Sequence, residues 1–163
     1  APLPVVAAGG IADGRGLAAA LMLGAQGVWM GTRFVASPEW GGADWEQQAV
    51  LAATSDDTVQ TSVYDRLFDR PFPPGIDDRM VRNPFITHWQ RNLAEVDPSH
   101  RALQEQVRQA EAQGDLTVAG VSAGVSSGLI ASTQPAADIV HAIVREAEDL
   151  LRQRPRQLLG LQR

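Results

Sequence analysis

The stretch PVVAAGGIADGRG, residues 4–16, limits the folds open to this chain more than any other. A short apolar run, Val5 to Ala8, stops at Gly9-Gly10, and Asp13 follows as a capping residue for a helix. The alanine- and leucine-rich run Leu17 to Leu23 carries that helix, and Gly24 stands where a C-terminal glycine belongs. Val28 to Met30 then reads as a second strand, ending on Gly31-Thr32. Strand, helix and strand at this spacing predict a compact βαβ unit with two parallel, neighbouring strands. Because the runs are continuously apolar rather than alternating, both strands are expected to be buried on both faces. The chain is accordingly placed in the α/β class.

Each of these strands delivers bare backbone at its C-terminal end. Glycine lets a ligand approach N–H groups without a Cβ in the way, and the start of a helix favours an anion there. Gly9-Gly10 and Gly31-Thr32 belong to consecutive strands, so they are expected side by side, with the Thr32 hydroxyl as a further donor. Two such ends describe a phosphate site, at the edge where ligands sit in parallel α/β folds. The alternative is a tight turn at Gly9-Gly10 and a packing glycine at Gly31. A third reading takes Gly14-Arg15-Gly16-Leu17-Ala18-Ala19 as the dinucleotide pattern G-x-G-x-x-A. It fails on context, because Gly14 lies six residues past Ala8 and no acidic residue ends the second strand.

Beyond Ser37-Pro38 the character changes. A helix is expected over Asp44 to Ala53, capped by Asp44, and a strand over Val59 to Tyr64. The proline-rich segment DRPFPPGIDDR reads as a surface loop. Helices follow over Asn83 to Leu93 and Pro98 to Gln113, the latter ending at Gly114. VAGVSAGVSSGLI, residues 118–130, has glycines at 120, 124 and 128. On a helix these would form a small-residue face and on a loop they would allow close backbone approach; the stretch reads either as a flexible connector or as a ligand-facing loop. From Pro135 an apolar stripe of Ile139, Val140, Ile143, Val144, Ala147, Leu150 and Leu151 predicts an amphipathic closing helix.

Composition removes several function classes. Fourteen basic residues against 19 acidic ones give a net charge of -5 and no footprint for nucleic acid. With no cysteine there is neither a disulfide nor a thiolate metal site. No apolar run approaches the ~20 residues that span a bilayer, so no membrane role and a cytoplasmic location are expected. His88, His100 and His141 have no metal-ligand partner at useful spacing, and no metal is expected. Asp56-Asp57 and Asp77-Asp78 read as solvated turn residues.

Residues 4–36, PVVAAGGIADGRGLAAALMLGAQGVWMGTRFVA, resemble the nitronate monooxygenase (2-nitropropane dioxygenase-like) family. The likeness continues more diffusely through MVRNPF, Ala123-Gly124, Gly128-Leu129-Ile130 and PAADIV. It implies an FMN-dependent (β/α)8 TIM barrel, of which this chain would be the C-terminal portion: the last two barrel strands and the closing helix, with a largely helical insertion. The implied division is a barrel βαβ unit over 1–37, an insertion over 38–117 and a glycine-rich segment with the closing helix over 118–163. The resemblance assigns the FMN phosphate to Gly10 and to Trp29, Met30, Gly31 and Thr32, with Gly9 shaping the turn and Gly124 as a further cofactor contact. Where many relatives have Ala-Gly-Gln, this chain has Ala123-Gly124-Val125, so the amide is lost.

The implied reaction is oxidation of alkyl nitronates by bound FMN and dioxygen, assisted by a histidine. That histidine belongs to a glycine-rich stretch upstream of the strand matching Val5 to Ala8, so no catalytic residue is expected within this chain. A full barrel takes ~250 residues. The expectation is therefore half of a longer enzyme, with weak or absent flavin binding and no turnover by itself, completed by a missing N-terminal half or by a homo-oligomer. The related FMN-dependent enoyl-thioester (enoyl-ACP) reductases share the phosphate site and are the alternative enzyme reading. A non-catalytic, barrel-completing module is the alternative outside enzymes.

Overall fold

The structure, a computed structural model, describes residues 3–160 apart from 71 and 74. Two prolines of the expected surface loop and the last three residues of the C-terminal tail lie outside that set. Strand β1 (Val6–Ala8) and strand β2 (Gly27–Trp29) pair in parallel, Ala8 opposite Trp29, with helix α1 (Gly14–Met22) crossing between them. The βαβ unit read from the sequence is present. Asp13 caps α1, its carboxylate accepting from the Gly16 N–H at 3.1 Å, and Gly24 follows at φ +98°. The expected two-sided burial of the strands is not seen. Val5 and Val6 are 48% and 55% exposed and Trp29 is 74% exposed, because the described chain supplies only these two parallel strands.

A four-residue helix α2 (Thr32–Val35) opens directly off β2, and α3 (Asp44–Ala52) follows. Asp44 begins α3 rather than capping it; Glu46 instead turns back to accept from the Ala43 N–H at 2.9 Å. The expected strand at 59–64 is shorter and earlier, β3 (Thr58–Thr61), and gives way to helix α4 (Val63–Leu67). Val63, Tyr64 and Leu67 stand on one face of that helix and enter the core, which helical spacing achieves and a strand would not. Beyond the loop, β4 (Asp78–Val81) pairs antiparallel with β3, a strand the sequence did not announce.

Helix α5 (Pro84–Trp89) is shorter than expected and winds into a 3-10 turn over Gln90–Glu95, and α6 (Arg101–Gln113) ends on left-handed Gly114. The glycine-rich stretch is an ordered loop carrying one 3-10 turn, Val125–Leu129. The closing helix α7 (Ala136–Leu158) packs along α1 and buries Ile139, Ile143 and Ala147. Val140 and Val144, expected in the same stripe, are 47% and 50% exposed.

Two apolar cores result. One lies wholly within the excursion between α3 and the glycine-rich loop, built from Val63, Tyr64, Leu67, Met80, Phe85, Ile86, Val96, Leu103 and Val107. The second joins Ala12, Val35 and Ala36 to Val50 of α3 and to Val121, Ala123 and Ile130 of the glycine-rich loop. That second core sets the glycine-rich loop against the ends of β1 and β2.

Tyr64 ties the first core to the loop. Its hydroxyl donates to the Val118 carbonyl at 2.6 Å and accepts from the Asn83 amide at 3.0 Å. Burial pushes the phenol up to about 12, with the Asn83 amide pulling it back and the Glu111 charge adding to the rise. The folded state therefore holds this proton more tightly than the unfolded chain, so stability falls as pH climbs from the unfolded value of 10 towards 12. Urea melts at pH 9 and 11 should differ by about 1 kcal/mol from this group. Tyr64→Phe should be less stable at pH 9 yet lose that pH dependence.

Candidate functional site

Gly9 and Gly10 leave β1 with φ of +89° and +71°, a left-handed pair that only glycine adopts without strain. Both are exposed. A Cβ on Gly10 would sit 3.5 Å from Val125 Cγ2, so the turn faces the glycine-rich loop across one van der Waals contact. Beside it, Gly31 and Thr32 pass from β2 into the first turn of α2. Gly10, Gly31 and Thr32 donate no backbone turn, loop or cap bond among the described residues, leaving these N–H groups available.

The glycine-rich loop reaches Thr32 directly. The Gly124 N–H donates to Thr32 Oγ1 at 2.9 Å, and a Cβ on Gly124 would come within 3.3 Å of the same oxygen. Thr32 keeps its own hydroxyl proton to give elsewhere. Two serines hold the loop in place. Ser55 Oγ donates to the Val125 carbonyl at 2.7 Å, and Ser127 Oγ donates to the Gly124 carbonyl at 3.0 Å. Gly128 packs on Ser55, where a Cβ would meet Oγ at 2.6 Å. The stretch is thus an ordered loop whose glycines lie close against Met80, Thr32 and Ser55.

Gly31, Thr32 and Gly124 share the wall of a cleft of about 600 Å³ that runs across to Tyr64, Arg79 and Met80 of the excursion. Gly9, Gly10, Trp29 and Met30 do not line it. Trp29 stands exposed on the strand and Met30 is half-buried behind it. Val125, where an amide was missed, presents an apolar side chain to the Gly10 turn.

The rival dinucleotide pattern has a different explanation. A Cβ on Gly14 would stand 2.5 Å from Glu146 Cβ and 2.6 Å from the Ala147 nitrogen, and the Gly14 N–H donates to the Glu146 carboxylate at 2.7 Å. Gly14 is where α1 and α7 touch, and it faces no cleft.

Three residues that sequence reasoning did not single out support the site. Arg33, next to Thr32, is buried and donates to Gln134 Oε1 at 2.7 Å and to the Ser132 carbonyl at 3.3 Å. No carboxylate pairs with it among the described residues, and burial holds its guanidinium below the ordinary arginine range. Asn83 caps α5 by accepting from the Ile86 N–H at 2.7 Å, and its amide donates to the Ala119 carbonyl at 2.9 Å. Arg79 lies in the cleft. A polar residue before proline at a helix start could have announced Asn83; no local signal marks Arg33 or Arg79.

The histidines stand apart. His88 and His100 meet the Trp89 ring edge-on at 4.9 and 5.7 Å, and His141 is exposed on α7. Among the described residues no group of three or more His, Asp or Glu is arranged to hold a metal, and no helix is long and apolar enough to cross a membrane.

Comparison with known proteins identifies the family. The nitronate monooxygenase family profile matches residues 1–146. A probable nitronate monooxygenase of Staphylococcus aureus (strain MSSA476) is 32% identical over 150 residues, covering 91% of this chain and 40% of its own length. Among solved structures, FabK from Thermotoga maritima superposes with a TM-score of 0.74 at 36% identity, over 93% of this chain and 46% of that one. Nitroalkane oxidase from Streptomyces ansochromogenes gives 0.75 at 25% identity, over 94% and 41%. The chain thus spans less than half the length of each of these three proteins. On the profile match over most of its residues, it belongs to the nitronate monooxygenase family.

Proposed function

We propose that this chain is the phosphate-holding C-terminal portion of an FMN-dependent (β/α)8 nitronate monooxygenase that acts on alkyl nitronates with dioxygen. One observation carries the reading: the left-handed Gly9-Gly10 turn, Gly31-Thr32 and Gly124 converge at the C-terminal ends of two parallel strands. The short helix α2 after the second strand fits the phosphate sites of such barrels, which use the loops after the last strands and an added short helix. The exposed apolar residues of β1 and β2 support a sheet that continues beyond this pair.

The donor set fits a phosphate. A Cβ on Gly9 or Gly31 would meet nothing within 4 Å, so an oxygen can reach either backbone unobstructed. Gly10, Gly31 and Thr32 would hold the phosphate through N–H groups, and the Thr32 hydroxyl would add a proton that its bond from Gly124 leaves free. Gly124 orients that hydroxyl, and Arg33 fixes the segment after it. When bound, FMN would supply the electron acceptor for the nitronate. The general base or proton-handling histidine is assigned outside this chain.

Titrating the chain, co-expressed with the part of the Staphylococcus aureus relative that it does not cover, with FMN and with riboflavin, which lacks the phosphate, tests the cradle. FMN should bind more tightly, and Thr32→Val should lower its affinity about tenfold while leaving riboflavin unchanged. Equal affinities for the two flavins in the unaltered chain would overturn the reading. Co-expression with the part of the Staphylococcus aureus relative that this chain does not cover tests the reaction. Nitronate consumption is expected; NAD(P)H-driven reduction of an enoyl thioester instead would favour the reductase alternative.

A further inference from the structure

We propose that Arg79 is a phosphate-binding residue of the cleft, reaching from the excursion to the anion held at Gly31 and Thr32; this rests on the flavin-phosphate reading. Its backbone is already tied to the site. The Arg79 carbonyl accepts from the Ala123 N–H at 2.9 Å, and the next residue, Gly124, donates to Thr32 Oγ1 at 2.9 Å. Arg79 therefore stands two hydrogen bonds from the proposed phosphate contact and lines the same cleft.

Its charge is not spent. The guanidinium is half-buried, and its partner is a neutral hydroxyl, Thr58 Oγ1, at 3.2 Å from Nη1. Among the described residues the ion pairs engage Arg15, Arg108 and Arg152, not Arg79. The nearby carboxylates are committed: Asp78 accepts from Ser122 Oγ at 2.6 Å and from the Arg79 N–H at 2.8 Å, and Glu46 accepts from the Ala43 N–H at 2.9 Å. Glu111 also lines the cleft, near Tyr64. The other arginine of the cleft, Arg70, lies over the Phe68 ring at 5.3 Å. Arg79 thus keeps a fork of free N–H donors, the geometry that matches a phosphate with two parallel bonds. A half-buried cation without a counter-ion gains most from an anion brought to it.

The test compares FMN and riboflavin binding by fluorescence titration in the unaltered chain and in Arg79→Gln, each co-expressed with the part of the Staphylococcus aureus relative that the chain does not cover, with far-ultraviolet circular dichroism as the check on folding. The unaltered chain should prefer FMN, and inorganic phosphate should compete with FMN but not with riboflavin. Arg79→Gln should lower FMN affinity about tenfold, leave riboflavin unchanged and weaken competition by phosphate. An unchanged FMN-to-riboflavin ratio in Arg79→Gln would overturn the proposal while leaving the flavin-phosphate reading intact. No preference for FMN in the unaltered chain would overturn both. Should Arg79→Gln fail to fold, Arg79→Lys serves: a reduced preference supports the forked contact, and an unchanged one removes it.

Discussion

Asn83→Ala is expected to lower stability by about 2–4 kcal/mol, the sum of a lost helix cap and a buried carbonyl left without a partner. Asn83 is buried, and each polar atom of its amide is in use: Oδ1 on the Ile86 N–H, Nδ2 on both Tyr64 and the Ala119 carbonyl. Alanine strands the Ala119 oxygen in the interior, where water cannot replace the donor cheaply. The effect should not stop at stability. Residues 118–120 lead directly into Gly124, so flavin affinity should fall in the same variant under conditions where it remains folded. Urea denaturation measures the first effect and FMN titration the second. A loss under about 0.5 kcal/mol, the range of ordinary surface changes, would show that the hub is dispensable.

Gly14→Ala sets two effects of opposite sign against each other. In a free helix the change favours folding, by up to about 1 kcal/mol. Here the new methyl would stand 2.5 Å from Glu146 Cβ and 2.6 Å from the Ala147 nitrogen, and the latter atom is backbone that no rotamer change can move. Overpacking of this kind costs about 1–3 kcal/mol, and separating α1 from α7 also strains the Gly14 bond to Glu146. Net destabilisation is expected, read as a fall of about 2–4 °C in melting temperature for each kcal/mol in a chain of this size. A melting temperature equal to or above that of the unaltered chain would mean that α7 can shift, and that the contact is looser than its geometry indicates.

The βαβ unit was legible because its signals are local: an apolar run, a capping Asp13, a C-terminal Gly24 and glycines at both strand ends. The candidate site was legible in its glycines and Thr32 for the same reason. What escaped was decided elsewhere in the chain. Val59 to Tyr64 alternates as a strand would, yet Val63, Tyr64 and Leu67 are claimed by a core that includes Phe85, Ile86 and Val107, and a helix presents them to it better. β4 exists because β3 lies beside it. Asp44 was passed over as a cap because Glu46 reaches the Ala43 N–H first. Arg33 and Arg79 gain their roles from partners far along the chain, and no window of neighbouring residues carries that information; Asn83 before Pro84 announces its cap locally, but not its bonds to Tyr64 and Ala119. The glycines at 120, 124 and 128 carry no local sign of what they pack against; Met80, Thr32 and Ser55 are brought to them by distant parts of the chain.

The bonds that hold the candidate site and the closing helix span the chain. Gly124 meets Thr32 across 92 positions, Arg33 meets Gln134 across 101, Ala136 meets Glu39 across 97 and Gly14 meets Glu146 across 132. Contacts of such separation must overcome the entropy of closing long loops before they contribute anything, which makes them slow to form. The excursion's core draws on residues much closer together. During synthesis it can assemble while α7 is still being made, whereas the candidate site must wait for Gly124 and the residues after it. A folded excursion can thus stand beside an unfinished candidate site until α7 docks on α1.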